Sequence, residues 1–537
     1  TLGTLHIGDI TTTNGFTLAA GTGGYLVLAG SGGSAAINKS GGGADVISTG
    51  LQFNSALTVS NAGAGLLTLN GAMRSLSSGL TVAGTGNTTI SAAVSTAGGL
   101  VKEDAGTLTL TGASTFAGTT TVNGGTLTLS NAAALPARSA VTVSAGATLD
   151  YLNTATAIGS LSGAGTVNNS TASAARILTI GRDETSTTFS GQFLPTTATR
   201  MAITKIGAGT LTLAPTLAST YTGNTIINGG GINLDFANTS LTSLLAATPL
   251  QITGGNFTMT GKAGLAANQL LGALTVGATG GKITLVPGDA AGTTLRTGAV
   301  TATASGGTLL ITAPTNTVFQ MGTSYTATSL NNRLVYSDGT ANTYNWAVNT
   351  GANTNTTAFS AYTALPVTGG GANTTAYLLG ASQTQTTAAA TIRSLKLSST
   401  SGSTQVLDLA TFNMTLGGTA TDSPGAILID GTAAWDINGT TGVLGQATAA
   451  GGDLIFHQYS TGTVTVNAGI ANGAGTLNLV KAGTGRLILA GANTFTGTVF
   501  VNEGILSFSN AGASGSGTLG LGVATAVTIR DGGTLEY

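Results

Sequence analysis

The chain has 537 residues, a formal net charge of −1 and charged side chains at only 7% of its positions. Its 17 lysines and arginines are scattered singly, so no basic patch is available to bind nucleic acid or an anionic membrane. Hydrophobic residues make up 41% of the chain and cysteine is absent, which excludes charge-driven disorder, disulfides and thiolate metal sites.

Alternation of apolar and polar residues runs through the chain, beginning with Leu57-Thr58-Val59. This period of two predicts short strands with one buried face, and the Gly-Gly, Asn-Gly and Ser-Gly pairs between them predict tight turns. Apolar runs such as Ala426 to Ile429 are far shorter than the roughly 20 residues of a membrane helix. The strand signals recur about every ten residues, at Leu57, Leu67, Leu80, Ile90, Leu100 and Leu108.

One longer pattern is written three times, and its first copy is Gly98 to Leu127. Each copy has a lysine, a glycine, a pair of leucines, an aromatic residue and an asparagine in the same order. A period near thirty residues is the mark of a solenoid, and we interpret each copy as one coil of about three strands. The positions are Lys102, Gly106, Leu108, Leu110, Phe116 and Asn123; Lys205, Gly209, Leu211, Leu213, Tyr221 and Asn228; and Lys481, Gly485, Leu487, Leu489, Phe495 and Asn502.

These residues resemble the autotransporter-associated β-strand repeat, also called the passenger-associated transport repeat, of large exported bacterial surface proteins. The resemblance implies a right-handed parallel β-helix displayed outside a bacterial cell, and it implies no specific ligand. Asp104 stands where the other copies have Gly207 and Gly483, and Glu503 interrupts the double glycine of the third copy. We expect both departures to affect turns only.

The chain offers no proline-rich linker or block of charge that would separate independent domains. We therefore predict one continuous β-solenoid over residues 1–537. Short helical turns are expected at Leu241 to Ala247 and at Gly264 to Leu274. The predicted subdivisions are N-terminal coils at 1–97, two strong repeats at 98–234, irregular, loop-rich coils at 235–375, and C-terminal coils with the third repeat at 376–537.

Each repeat position has an expected structural role. The leucines should point into the coil, and the aromatic residues should fill the core beside a turn where the backbone comes close, with glycan stacking as the alternative. The asparagines suit left-handed turns and could form amide ladders. The lysine stems should cover a core edge while the ammonium groups stay in water or reach turn carbonyls. Replacing Lys205 by Met should then barely change stability.

A polysaccharide-cleaving β-helix would need paired carboxylates. The best candidate pair is Asp430 with Asp436, next to Trp435 for sugar stacking, followed by the run Arg182 to Glu184. These groups are few, so we predict no enzyme, no cofactor and no metal site.

Outward threonines such as Thr107, Thr109 and Thr111 raise an ice-binding alternative, in which Thr-x-Thr ranks continue from coil to coil. Because the three repeats lie far apart in the sequence, we expect no continuous rank.

Together with the resemblance, these features predict an extracellular structural solenoid, a stiff segment of a bacterial surface fibre, filament, stalk or sheath. Its expected partner is a further copy, by end-to-end or lateral association, or its own tandem continuation. The alternative is an adhesin or glycan-binding passenger that contacts surface glycans, or a host or neighbouring cell, through residues 235–375. A polysaccharide-degrading enzyme is the third hypothesis.

Overall fold

The structure is a computed structural model, and each regular element among its described residues is a β-strand. The chain forms two compact units, Thr1–Pro249 and Leu250–Tyr537. No helix among the described residues has the length and apolar character needed to cross a membrane. The description covers the chain except residues 1, 11–12, 20, 22–23, 31–32, 153–154, 171–175, 196–200, 303–304, 327–329, 369, 387, 419–423, 448–450, 474, 509–523 and 531.

Unit 1 is a stack of coils whose strands pair in parallel, each with its equivalent in the next coil. The strands of its first face are Thr4–Ile7, Ala35–Lys39, Leu57–Asn61, Leu80–Ala83, Leu100–Lys102, Thr120–Val122, Val141–Val143, Leu161–Gly163, Thr187–Phe189, Thr210–Leu213 and Gly231–Asp235. The strands of its second face are Thr17–Leu18, Asp45–Ile47, Leu67–Leu69, Thr88–Ile90, Thr107–Leu110, Thr126–Leu129, Thr148–Asp150, Thr166–Asn168 and Gln192–Phe193. The remaining sheets consist of Tyr25–Leu28, Gly50–Phe53, Met73–Ser75 and Val94–Thr96, and of Thr156–Ile158, Arg176–Ile180, Met201–Ile206 and Thr225–Asn228.

The core of unit 1 is built from ranks of identical or similar residues on successive coils. Leu57, Leu80 and Leu100 pair in register and are at most 1% exposed. Because successive side chains of a strand point to opposite faces, Thr58 and Thr81, which follow two of these leucines, lie on the outer face and are partly exposed. The predicted all-β parallel solenoid is confirmed.

Unit 2 begins with a first stack of coils, residues 250–337, which ends in antiparallel pairs. Its sheets are Leu250–Ile252, Leu274–Val276 and Val300–Thr301; Asn256–Thr260, Gly281–Val286, Leu309–Thr312 and Leu334–Ser337, continued by Asn345–Val348 and Thr357–Ala358; and Ala267–Leu270, Thr293–Arg296 and Thr317–Met321, continued by Thr354–Asn355. The strands Asn345–Val348, Thr354–Asn355 and Thr357–Ala358 pair antiparallel, so parallel stacking stops here.

A second stack, residues 363–536, follows the connecting segment 338–362. Its first sheet is Thr363–Ala364, Ala376–Leu379, Ser394–Ser399, Gly425–Gly431, Gly452–Gln458, Leu477–Ala482, Val499–Val501 and Val527–Ile529. Its second sheet is Gln383–Thr384, Gln405–Asp408, Trp435–Asn438, Val464–Val466, Arg486–Leu489, Gly504–Phe508 and Gly533–Glu536. Its third sheet is Ala390–Ile392, Met414–Leu416, Val443–Gln446 and Gly469–Ile470.

The predicted helical turns are wrong. Ala267–Leu270, inside the second predicted turn, is a strand that pairs with Thr293–Arg296, and residues 241–247 contain no helix. Short apolar runs of this kind do not distinguish a helix from a strand, and strand pairing with a neighbouring coil decided the outcome. Continuity of one solenoid over the whole chain stays a prediction.

Candidate functional site

The three repeats are more than one coil long. Lys102 pairs with Val122 of the next coil and Leu108 pairs with Leu127, so one copy stacks its second half on its first half. No strand lies between Leu110 and Thr120. The segment between them contains Phe116 and takes the place of a third side; we call it the aromatic corner. The interpretation of Gly98 to Leu127 as a single coil of three strands is therefore wrong.

The other two copies stack in the same way. Lys205 pairs with Ile227, and Lys481 pairs with Val501. Each lysine thus points into the coil, at a position where the following coil has an aliphatic residue.

The leucines and aromatic residues of the repeats are buried, with exposures of 2% or less. At the aromatic corner, a Cβ on Gly118 would lie 2.4 Å from the backbone nitrogen of Gly99. This distance is too short for a side chain, and glycine lets the backbones of two coils approach there. The core members are Leu108, Leu110, Phe116, Leu211, Leu213, Tyr221, Leu487, Leu489 and Phe495.

The turn that follows each repeat lysine, which we call the lysine corner, accepts hydrogen bonds from the ammonium group through its backbone carbonyls. Lys102 is 2% exposed, and its Nζ donates to the carbonyls of Glu103, Asp104 (2.8 Å) and Gly124 (3.2 Å). Gly124 belongs to the next coil, so this lysine ties two coils together. Burial lowers the pKa of Lys102, and the charges of Asp104 and Glu103 oppose that shift.

The second corner of unit 1 is similar. Lys205 donates to the carbonyls of Ile206 at 2.5 Å and Gly207 at 3.1 Å. Burial lowers the pKa of Lys205, and the charge of Asp183 opposes the shift. In both corners the acceptor residues are partly exposed to solvent.

The lysine corner of Lys481 in unit 2 is shielded from solvent. Its Nζ donates to the carbonyls of Ala482 (3.1 Å), Gly483 (2.6 Å) and Glu503 (3.0 Å). Lys481 is 0% exposed, and Ala482 and Gly483 are buried too. Burial lowers the pKa of Lys481 to about 7, against the raising effect of Glu503.

The repeat asparagines do not take the left-handed conformation that the sequence suggested. That conformation belongs to the glycines two residues later: Gly125, Gly230 and Gly504 have φ angles of 60°, 57° and 69°. The amide of Asn123 instead donates to Oε1 of Glu103 at 2.7 Å. Glycine adopts positive φ without the Cβ clash that asparagine would suffer.

The third repeat joins the two stacks of unit 2. The amide of Asn502 donates to the carbonyl of Gly306 at 2.6 Å and to Oγ1 of Thr308 at 3.2 Å. The carboxylate of Glu503 forms an ion pair with Lys282. The glutamate that interrupts the double glycine of this copy therefore binds a lysine of the first stack.

Asp453 lies at the centre of the contact between the stacks. Its Oδ2 accepts from the backbone N–H of Gly306 at 2.7 Å and from Nη1 of Arg333 at 2.8 Å, while Oδ1 accepts from Asn478 at 2.9 Å. Asp453 is 1% exposed and Arg333 is 7% exposed. The charges of this buried pair are therefore neutralised by each other and by hydrogen bonds, as burial requires.

His457 lies beside this pair, and its Nε2 is 2.9 Å from the carbonyl oxygen of Asn332. Burial lowers the pKa of His457 to about 4, so the ring is neutral at pH 7. Because a carbonyl only accepts, Nε2 carries the proton in this contact.

The connecting segment also contacts the second stack, through Tyr344. Lys396 forms an ion pair with Asp430 at 3.0 Å, and its Nζ donates to the carbonyl of Tyr344 at 2.7 Å. The backbone N–H of Tyr344 donates to the same Asp430 at 2.9 Å, and its ring stacks on Tyr459 with centroids 4.0 Å apart.

Apolar side chains fill the space between these polar groups and form a second core outside the coils. Sequence alternation alone did not reveal it, although uninterrupted apolar runs such as Ala426 to Ile429 gave the signal. Its buried members are Leu330, Val335, Trp346, Phe359, Ala376, Ala426, Leu428, Ile455, Tyr459 and Val480.

Three of the candidate catalytic residues, Trp435, Asp430 and Asp183, are engaged within the fold. Trp435 is 0% exposed inside the second stack, so it is not available to stack on a sugar, and Asp430 is engaged by Lys396. In the other candidate group, Asp183 accepts from Oγ of Ser160 at 2.6 Å and holds a turn. Among the described residues, no group of three or more His, Asp or Glu side chains could hold a metal ion.

The expectation of no continuous threonine rank is wrong for part of unit 1. Thr68, Thr89, Thr109 and Thr128 pair in register on four successive coils. Thr68 and Thr89 lie before the first strong repeat, so coils outside the strong repeats supply threonines of their own. The next residue of this rank is Asp150.

Comparison with known proteins agrees with the repeat geometry. The family described as passenger-associated-transport-repeat matches residues 100–129, 203–234 and 479–508. The adhesin BmaC autotransporter of Brucella suis biovar 1 (strain 1330) is 35% identical over 131 residues, which is 24% of this chain and 4% of that protein. The chain thus aligns with a small part of that relative's length. No solved structure matches the chain with significance.

Proposed function

We propose that this chain, in which three segments match the passenger-associated-transport-repeat family, is a noncatalytic structural segment of an autotransporter-type passenger on a bacterial surface. The in-register stacking of coils in unit 1 carries this proposal. Stacked coils exchange backbone hydrogen bonds along their whole length and bury one continuous core, which suits a part that keeps its length under load.

The use of the charged side chains supports a mechanical role. Each of the five ion pairs in the described part of the chain joins two parts of the chain's own fold. The buried lysines of the repeats likewise hold turn carbonyls.

The test is to display the full chain between an outer-membrane anchor and a terminal epitope on bacterial cells. Surface labelling of intact cells should detect the epitope, and atomic force microscopy should place it farther from the membrane than in a matched fusion without the chain. An epitope at equal height in both fusions would refute the structural role.

Association of copies into a filament is a further part of the proposal. Each coil offers its neighbour the same parallel ladder, so a coil of another copy can add in the same register. Electron microscopy of the purified chain over a range of concentrations tests this point. Dispersed single particles at the highest concentration would contradict it.

Adhesion is the second candidate function, because the relative described above is named an adhesin. Residues 287–291 form a largely exposed loop within the region expected to bind glycans, whereas Val335 and Trp346 of the same region are buried. Saturable binding on a glycan array, lost when residues 287–291 are replaced by a Gly-Ser loop, would favour adhesion. A Gly-Ser replacement of the exposed residues 360–361 is the control.

A further inference from the structure

The two stacks of unit 2 are joined in a different way from the coils within a stack. Successive coils share backbone ladders, such as Leu479 to Lys481 with Val499 to Val501. The first stack contacts the second mainly through side chains, with Lys282 and Arg333 as its charged members, whereas Lys396 of the second stack donates to Tyr344 of the connecting segment. Separating the stacks therefore breaks fewer backbone hydrogen bonds than removing a coil.

The contacts between the stacks follow one another in opposite chain directions. Lys282 contacts Glu503 at one end, Arg333 contacts Asp453 in the middle, and Tyr344 of the connecting segment contacts Asp430 at the other end. Early residues of the first stack thus meet late residues of the second. A pull on the outer ends loads these contacts one after another, beginning with Lys282 and Glu503.

We infer that unit 2 is an extensible clasp, in which tension separates the two stacks from the Lys282–Glu503 end toward the connecting segment while the coils stay folded. Opening exposes the apolar outer strip of the second stack, formed by Ala426, Leu428, Ile455 and Val480. Burial of this strip drives the clasp to close again when tension is released. The inference rests on the contacts within unit 2 and does not depend on the proposed function.

Force spectroscopy of the full chain tests the clasp. The chain has no cysteine, so single cysteines at Leu270 (47% exposed) and Ile529 (49% exposed) provide unique handles on the first and second stacks. We expect a reversible lengthening at a force below that of coil unravelling. If extension begins only with coil unravelling, the clasp is refuted.

A charge swap identifies the first contact to open. Lys282→Glu places two carboxylates together and should lower the force of the first lengthening, and Lys282→Glu with Glu503→Lys should restore it. Both side chains are partly exposed, at 35% and 20%, so the variants keep the core intact. Equal opening forces in the wild type and the single variant would contradict the inferred order.

Arg333→Met provides a second, larger perturbation at the centre. Because it leaves Asp453 without its buried partner, opening should be roughly 100-fold faster. Arg486→Met is the control, since Arg486 pairs with Glu536 inside the second stack. It should leave the first lengthening unchanged, and an equal effect of both substitutions would overturn the clasp.

Discussion

The same repeat occurs in two settings, and the surroundings decide what its lysine does. Lys102 and Lys205 in unit 1 donate to carbonyls of partly exposed turns. Lys481 in unit 2 donates to carbonyls that are largely buried, and one acceptor, Glu503, pairs with Lys282 of the first stack. The contribution of a repeat residue to the stability of the fold therefore depends on what covers its coil as well as on the repeat.

The outer faces of the two units differ correspondingly. Thr89 and Thr109 lie in an outer rank of unit 1 and are partly exposed. Leu428 and Ile455 occupy the outer face of the second stack in unit 2 and are 0% exposed. One-sided burial gives alternation, whereas two-sided burial gives continuous apolar runs.

The largest expected effect comes from breaking the buried ion pair of unit 2. Arg333→Met should cost about 3–5 kcal/mol of the free energy of unfolding, because Asp453 stays buried without its cation. The chain has two tryptophans, Trp346 and Trp435, and both lie in unit 2, so tryptophan fluorescence during urea unfolding reports on this unit.

Arg74→Gln in unit 1 is the control for this measurement. Its guanidinium lies over the exposed ring of Tyr25 and its loss leaves no buried charge. If both substitutions have equal effects on the tryptophan transition, the central role of the Arg333–Asp453 pair is wrong.

Gly483→Ala should cost about 2–4 kcal/mol, because it combines left-handed strain with a steric clash. Gly483 has φ of 80°, and a Cβ there would lie 2.4 Å from the carbonyl oxygen of Gln458. Thermal unfolding followed by tryptophan fluorescence measures the loss.

The equivalent position of the first repeat provides the comparison. Asp104 already has positive φ, at 55°, so Asp104→Gly should change stability by at most about 1 kcal/mol. Comparable losses at Gly483 and Asp104 would show that the two turns have the same tolerance.

Raising the pH from 7 to 9 should stabilise unit 2 by on the order of 2 kcal/mol through Lys481. Burial lowers the pKa of this lysine from 10.5 to about 7, so between these values the unfolded chain binds more protons than the folded one. Unfolding therefore becomes less favourable as pH rises through this window.

Urea unfolding at several pH values, followed by tryptophan fluorescence, checks this dependence. Lys481→Met should remove the rise. A rise of the same size in the variant would assign it to another group. The window ends below pH 10, because burial raises the pKa of Tyr459 and of Tyr344, and their ionisation in the unfolded chain reverses the trend.

The smallest effect is expected from Lys205→Met. Water can replace the ammonium at the partly exposed turn of Ile206 and Gly207, so the loss of unfolding free energy should stay below about 1 kcal/mol. The matched Lys481→Met should cost about 1–3 kcal/mol at pH 8, because buried carbonyls lose their donor. Calorimetry of both variants measures the difference, and a larger loss for Lys205 would invert the comparison.

Several features of the site followed from the sequence, and others did not. The inward leucines and the aromatic corners were predictable, because alternation and glycine spacing are local properties. The coil length was not, because the motif spans strands of two successive coils and only pairing shows that Lys102 faces Val122. The partner of Glu503 was also hidden, since Lys282 lies 221 residues away.

The sequence by itself determined the all-β class, the parallel coils and the inward residues, because a period of two and the turn glycines act over a few residues. Tertiary structure alone decided that unit 2 folds one stack against another. That arrangement depends on contacts between residues more than a hundred positions apart, such as Arg333 with Asp453. Such contacts stabilise the fold only when both side chains are buried together, so no local sequence pattern predicts them.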